Sequence, residues 1–140
     1  MKRIIVLLAD HNKVVHTAFR KLMEGEADLE VVGEVSNGRQ AVARAKKLRP
    51  AVVLMDVSMP LLNGLQATRE ILAADSKTKV LMLSADSEEA YIVESLKAGA
   101  SGYLLKPSSL GNVCDAIREV QKGNTFFSAA IPRRLHKLTR

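Results

Sequence analysis

One aspartate closes the apolar run Val52-Val53-Leu54-Met55-Asp56, and Val57-Ser58-Met59-Pro60-Leu61-Leu62-Asn63-Gly64 follows at once. An aliphatic, β-branched run bounded by turn residues reads as a strand buried on both faces. A carboxylate at its last residue lies outside the strand ends, where open α/β sheets bind ligands. A charge in such a place calls for a charged partner. Three other apolar runs end in the same way: Ile4–Ala9 runs into Asp10-His11, a second into Ser84, and a third into Lys106-Pro107. Two carboxylates are hard oxygen donors suited to Mg²⁺. A lysine is a point charge for a phosphate oxygen, and a serine is a donor. Alone, each has a plainer reading as a helix cap, a turn former or a solvated lysine. Together on four strand ends they describe a site for a phosphoryl group with a carboxylate as acceptor.

The elements that must position these residues alternate regularly. Strands are expected at Ile4–Ala9, Glu30–Val35, Ala51–Met55, Lys79–Ser84 and Gly102–Leu105. Between them, Val14, Val15, Ala18, Phe19, Leu22 and Met23 form one helical face. Ala41, Val42, Ala45 and Leu48 form another, ended by Pro50; Leu65, Thr68, Ile71 and Leu72 form a third. Ser87 is the expected cap of a fourth helix, with Glu88 and Glu89 in its first turn, where the helix dipole favours acids. Ser108 or Ser109 is the expected cap of a fifth, through Val113, Ile117 and Val120, ended by Gly123. The alternation predicts an α/β fold with helices on both faces of a doubly wound parallel sheet. Five strands and five helices favour the flavodoxin-like (CheY-like) order 2-1-3-4-5, whose switch point brings Asp10 beside Asp56.

Composition narrows the class. The 140 residues suit one domain, 1–123, and residues 124–140 read as a basic tail. Five of the 21 Lys/Arg and no acid lie in residues 120–140, which leaves 16 basic against 15 acidic residues in the body. Such a tail reads first as a solvated linker, whose Phe126 and Phe127 can pack back on the body, and second as a nucleic-acid contact. No apolar run approaches the ~20 residues of a membrane span, and no small-residue cleavage site follows Ile4–Ala9. The single Cys114 forbids an internal disulfide and reads as a core residue, so the expected compartment is the cytoplasm.

Three motifs carry a resemblance: Asp-x-x-Met-Pro-x-x-Asn-Gly at 56–64, Leu-Ser-Ala at 83–85 and Gly-Ala-Ser-Gly-Tyr-Leu-Leu-Lys-Pro at 99–107. Over about residues 2–123 the chain resembles the receiver domain of two-component response regulators. With Gly-Asn-Thr-Phe-Phe-Ser at 123–128, it is closest to the NarL/FixJ subfamily. The resemblance implies a switch and not an enzyme beyond its own phosphorylation and dephosphorylation. Asp56 would take a phosphoryl group from a sensor histidine kinase. Asp10, Asp56 and the backbone carbonyl of Ser58 would hold Mg²⁺. Ser84 and Lys106 would meet the phosphoryl group, Tyr103 would be the switch aromatic, and Lys106–Pro107 would be a cis peptide. It further implies a homodimer on activation through the first and last helices. DNA would be bound only by an effector domain beyond these residues, and the tail resembles the start of a linker to one, in a transcriptional regulator.

One departure stands out. Receivers carry two adjacent acids after the first strand, and here His11 takes the second place. Imidazole is a poor Mg²⁺ ligand and suits transition metals. Weakened Mg²⁺ binding, a preference for Mn²⁺, and a phosphate-independent pseudo-receiver acting by protein contacts are three outcomes of that change. Two more distant classes fit worse. A haloacid-dehalogenase-type phosphatase needs an acid where Ser58 stands, and a flavin binder needs glycine within Asp10-His11-Asn12-Lys13.

Overall fold

A computed structural model describes residues 2–85 and 88–139. The expected strands form: β1 (Ile4–Ala9), β2 (Leu29–Val35), β3 (Val52–Asp56), β4 (Lys79–Ser84) and β5 (Gly102–Leu105). The helices are α1 (Lys13–Glu24), α2 (Gly38–Leu48), α3 (Gly64–Ala74), α4 (Glu89–Lys97) and α5 (Lys106–Gln121). Two short elements follow, β6 (Phe126–Phe127) and α6 (Arg133–His136). The sheet is wholly parallel, in the order β2-β1-β3-β4-β5-β6. The expected five-strand order is therefore present and gains a sixth strand.

Strand periodicity divides the core. Successive side chains point to opposite faces, so Val6, Leu8, Leu54 and Leu83 pack with Phe19, Val113 and Ile117 of α1 and α5. Leu7, Ala9, Met55 and Met82 pack on the other face with residues of α2, α3 and α4, including Ala41, Ile71 and Ile92. Every residue of β3 is buried, which is why its sequence shows an unbroken apolar run instead of alternation.

Four expectations change. On α1 the buried residues are His16, Phe19 and Met23, while Val14 is 75% exposed and Leu22 37%. The helix is rotated so that a polar side chain takes an inward place beside Asp10. Secondly, α5 begins at Lys106, before both serines expected to cap it, and the Ser109 hydroxyl turns back to donate to the Lys106 carbonyl (2.8 Å). Thirdly, no cis peptide bond occurs among the described residues, so the bond to Pro107 is trans. Pro107 lies in the first turn of α5, where a proline's fixed φ suits a helix and its missing N–H costs no helical bond. The Ser87 cap lies outside the described residues; α4 starts at Glu89, with Glu88 as its cap residue.

The fourth change is the tail. Beyond Gly123 the chain does not leave the domain. Phe126 and Phe127 pair with Gly102 and Tyr103, and the Ser128 N–H donates to the Tyr103 carbonyl (3.1 Å). The Leu105 N–H donates to the Ser128 hydroxyl (2.9 Å). Ile131, just before α6, and Leu135 within it are buried in the same cluster as Tyr103. Phe127 stacks on His136 with ring centroids 3.9 Å apart, and Arg134 pairs with Glu89 at the start of α4. A solvated linker would show none of these contacts; the apolar residues spaced through the basic tail cover the β5 edge. Gly102 admits the added strand, because a Cβ there would stand 2.1 Å from the Phe126 carbonyl oxygen.

Candidate functional site

Strand register sets the site. Ala9 is level with Met55, Asp56 with Leu83, and Ser84 with Leu105. Asp10, Asp56, Ser84 and Lys106 therefore emerge on one edge of the sheet within two residues of each other. Glycine and asparagine shape the loop beside them. Asn63 caps α3 by accepting from the Gln66 N–H (2.9 Å), and a Cβ on Gly64 would stand 2.0 Å from the Asp56 carbonyl oxygen. Only glycine lets the β3–α3 loop close so tightly behind Asp56.

Asp10 and Asp56 are both buried. Each has one oxygen held by the N–H two residues on: Asn12 to Asp10 Oδ1 (2.8 Å) and Ser58 to Asp56 Oδ1 (3.2 Å). The other oxygens face inward. Lys106 Nζ lies 3.1 Å from Asp10 Oδ2 and 3.5 Å from Asp56 Oδ2. His11 Nδ1 lies 2.8 Å from Asp56 Oδ2 and 3.8 Å from Asp10 Oδ1. Asp10 Oδ2 is a buried oxygen with no hydrogen-bond partner among the described residues. The Lys106 ammonium 3.1 Å away offsets its charge. Burial holds the Asp56 carboxyl above the usual carboxylate range, and the neighbouring Asp10 adds to this; Lys106, the His11 hydrogen bond and the Ser58 N–H pull it back.

Asp56, His11, Ser58, Ser84 and Lys106 line a cleft of about 450 Å³. Tyr103 is fully buried on β5 beneath it. Asp10, His11 and Asp56 each present a donor atom within 4.8 Å of the others. An oxygen-rich, buried, partly unsatisfied donor set of this kind fits a divalent cation.

Sequence reasoning missed two neighbours. Buried His16 donates from Nε2 to the Asp10 carbonyl (2.6 Å), and its Nδ1 lies 3.4 Å from Glu34, which also accepts from Arg20 (2.8 Å). The interruption of the apolar face of α1 by a histidine six residues after Asp10 was the available signal. Exposed Tyr91 on α4 also lines the cleft, and no spacing marks it in the sequence.

Residues 6–118 match the family model of the response regulator receiver domain. The chain belongs to the response regulator receiver domain family. The receiver is 38% identical over 125 residues to YxjL, an uncharacterised transcriptional regulatory protein of Bacillus subtilis, covering 89% of this chain and 57% of that protein. The chain thus spans little more than half the length of that relative. It is 36% identical over 117 residues to the chemotaxis protein CheY of Thermotoga maritima, covering 84% of this chain and 97% of that one. Among solved structures, a LuxR-family two-component response regulator from Aurantimonas sp. SI85-9A1 superposes with a TM-score of 0.88 at 25% identity, covering 97% of this chain and 96% of that one. Matches to regulators of this type leave the receiver reading standing and do not favour the phosphate-independent alternative. No helix among the described residues is long and apolar enough to cross a membrane.

Proposed function

We propose that this receiver accepts a phosphoryl group on Asp56 from a phosphohistidine of a sensor kinase. The observation that carries the reading is a buried Asp56 carboxylate whose Oδ2 faces Lys106 at 3.5 Å across an open cleft. In the transfer, an Asp56 oxygen forms a bond to phosphorus as the phosphorus–nitrogen bond breaks, and the electron pair leaves with the donor imidazole. Lys106 balances charge that builds on the phosphoryl oxygens, and the Ser84 hydroxyl is placed on the next strand end to donate to one of them. Mg²⁺, when bound by Asp10, Asp56 and the Ser58 carbonyl, supplies further positive charge at those oxygens. Tyr103 lies on the strand that leads into Lys106, which makes it the aromatic through which an altered Ser84 reaches the α4–β5 surface.

The receiver acts in this reading as a switch on partners and not as an enzyme with turnover on another substrate. In the longer protein to which it is related, the output is transcriptional: a cytoplasmic regulator binds DNA through a separate domain and pairs with a second copy when phosphorylated. The test is intact mass after incubation with acetyl phosphate, with Mg²⁺ or EDTA. Gain of one phosphoryl group with Mg²⁺, absent with EDTA and in Asp56→Ala, is the expected result. A folded protein that gains none with any divalent ion overturns the reading.

A further inference from the structure

We propose that the metal pocket is a mixed carboxylate–imidazole site that selects Mn²⁺ and the later first-row divalent ions over Mg²⁺, with His11 as the selecting ligand. The inference deepens the phosphoacceptor reading and rests on it, because it concerns the ion that the same cleft would hold. The donor geometry carries it. Adjacent corners of an octahedron with bonds of about 2.1 Å lie ~3 Å apart and opposite corners ~4.2 Å. His11 Nδ1 is 2.8 Å from Asp56 Oδ2 and 3.8 Å from Asp10 Oδ1, both within the span of one coordination shell, and all three donor atoms lie within 4.8 Å of one another.

The parts differ in freedom. The carboxylates are buried and each is pinned through one oxygen, whereas the His11 side chain is 52% exposed and can turn from its hydrogen bond onto an ion. The second observation is independent of the histidine: buried Asp10 Oδ2 has no hydrogen-bond partner among the described residues, and the positive charge beside it is the Lys106 ammonium. Lys106 at 3.1 Å shows that this oxygen attracts positive charge, and it already halves the net charge that the two carboxylates offer. An ordinary receiver has a third carboxylate here, which compensates for a nearby lysine and suits a hard ion. In this chain the third donor is a neutral nitrogen. Mg²⁺ gains little from nitrogen, and affinity for nitrogen sites rises from Mn²⁺ towards Cu²⁺. Facing a carboxylate, Nδ1 carries the proton in the metal-free pocket; on ligation that proton resides on Nε2, and the exposed ring lets water exchange it.

The experiment is metal titration of the stripped full chain, followed by the electron paramagnetic resonance of free Mn²⁺ and by its displacement with Mg²⁺. Electron spin-echo modulation reads any nitrogen bound to the ion. The wild type is expected to bind Mn²⁺ at least ~10-fold more tightly than Mg²⁺, since losing even an outer-shell partner changes metal affinity by that much. It should also show nitrogen modulation. His11→Asp and His11→Asn should both lose the modulation, and His11→Asp should cut the Mn²⁺/Mg²⁺ ratio at least ~10-fold. A wild type without nitrogen modulation, or an unchanged ratio in His11→Asp, overturns the inference. Phosphorylation is scored separately by mass. A nitrogen-bound ion without phosphoryl gain leaves the selectivity standing and removes the phosphoacceptor reading. Equal phosphoryl gain with Mg²⁺ in wild type and His11→Asp, with no nitrogen signal, does the reverse.

Discussion

Replacing Asp56 with asparagine should stabilise the metal-free fold, and by an amount that depends on pH. The amide would keep the side-chain shape and an oxygen for the Ser58 N–H but would remove a buried negative charge. At an effective dielectric constant of about 20, repulsion between carboxylates at the 4.8 Å limit of this cluster is about 3 kcal/mol. Attraction to Lys106 at 3.5 Å, taken the same way, is about 5 kcal/mol. The first figure is a lower bound, so repulsion from Asp10 and attraction to Lys106 are of similar size, and desolvation, several kcal/mol for a buried ion, decides the sign. The carboxyl is accordingly held above its ordinary value, with burial as the largest cause. For an acid shifted upward, the cost to folding is full above the folded-state pKa and vanishes as pH falls below the unfolded value of about 3.9. The expected gain in Asp56→Asn is about 1–2 kcal/mol at pH 7 in EDTA, or about 3–6 °C in Tm. It should shrink towards zero by about pH 4. Urea unfolding across that range measures it. A variant that is less stable than wild type at pH 7, or a gain that does not change with pH, contradicts this account. Mg²⁺ or Mn²⁺ should narrow the gap, since an ion bound only by the folded wild type stabilises it by mass action.

Other perturbations have definite directions. Gly64→Ala drives a Cβ to within 2.0 Å of the Asp56 carbonyl; a loss of more than ~2 kcal/mol in urea unfolding and a slower acetyl phosphate reaction are expected. Gly102→Val should detach β6, because the added Cβ meets the Phe126 carbonyl at 2.1 Å; limited trypsin digestion at Arg133 and Arg134 should then outpace digestion of the wild type. The Arg118 guanidinium bonds Asp28 (2.8 Å) and also pairs with Glu26, and it holds the Asp28 carboxyl below its ordinary value. That stabilisation is present above the unfolded Asp value and is lost as pH falls through the lower, folded value. Arg118→Gln should therefore flatten the acid limb of the stability curve measured by thermal melting.

Four of the five main strands were readable because they are largely buried on both faces, so an unbroken apolar run such as Val52–Met55 admits no other surface; β2, a half-buried edge strand with Glu30 exposed, was readable from its valines and the turn residues around it. The site residues were readable because they interrupt those runs at matching ends. What escaped had no period to reveal it. A two-residue strand such as Phe126–Phe127 has no alternation, and its partner Gly102 is defined by the approach of a distant segment. The inward face of α1 was misplaced because Val14 is apolar yet exposed, while His16 is polar yet buried with the Asp10 carbonyl as its partner. Pro107 was assigned a cis bond by family likeness, whereas the local chain starts a helix at Lys106 and keeps it trans. His11 was legible as a departure, but its hydrogen bond to Asp56 needed the fold.

The pairing of β6 with β5 also bears on how separate molecules behave. An uncovered last strand offers a row of N–H and C=O groups on which another chain can build. Here the cover is supplied from within, by two residues and the Ser128 hydrogen bonds that follow them. Its far end is tied by Arg134 to the start of α4. That tie is an exposed ion pair and adds little, so the cover rests chiefly on the strand pairing and on buried Ile131 and Leu135. A chain cut before Phe126 would bare the β5 edge, and it is that form that would be at risk of edge-to-edge growth.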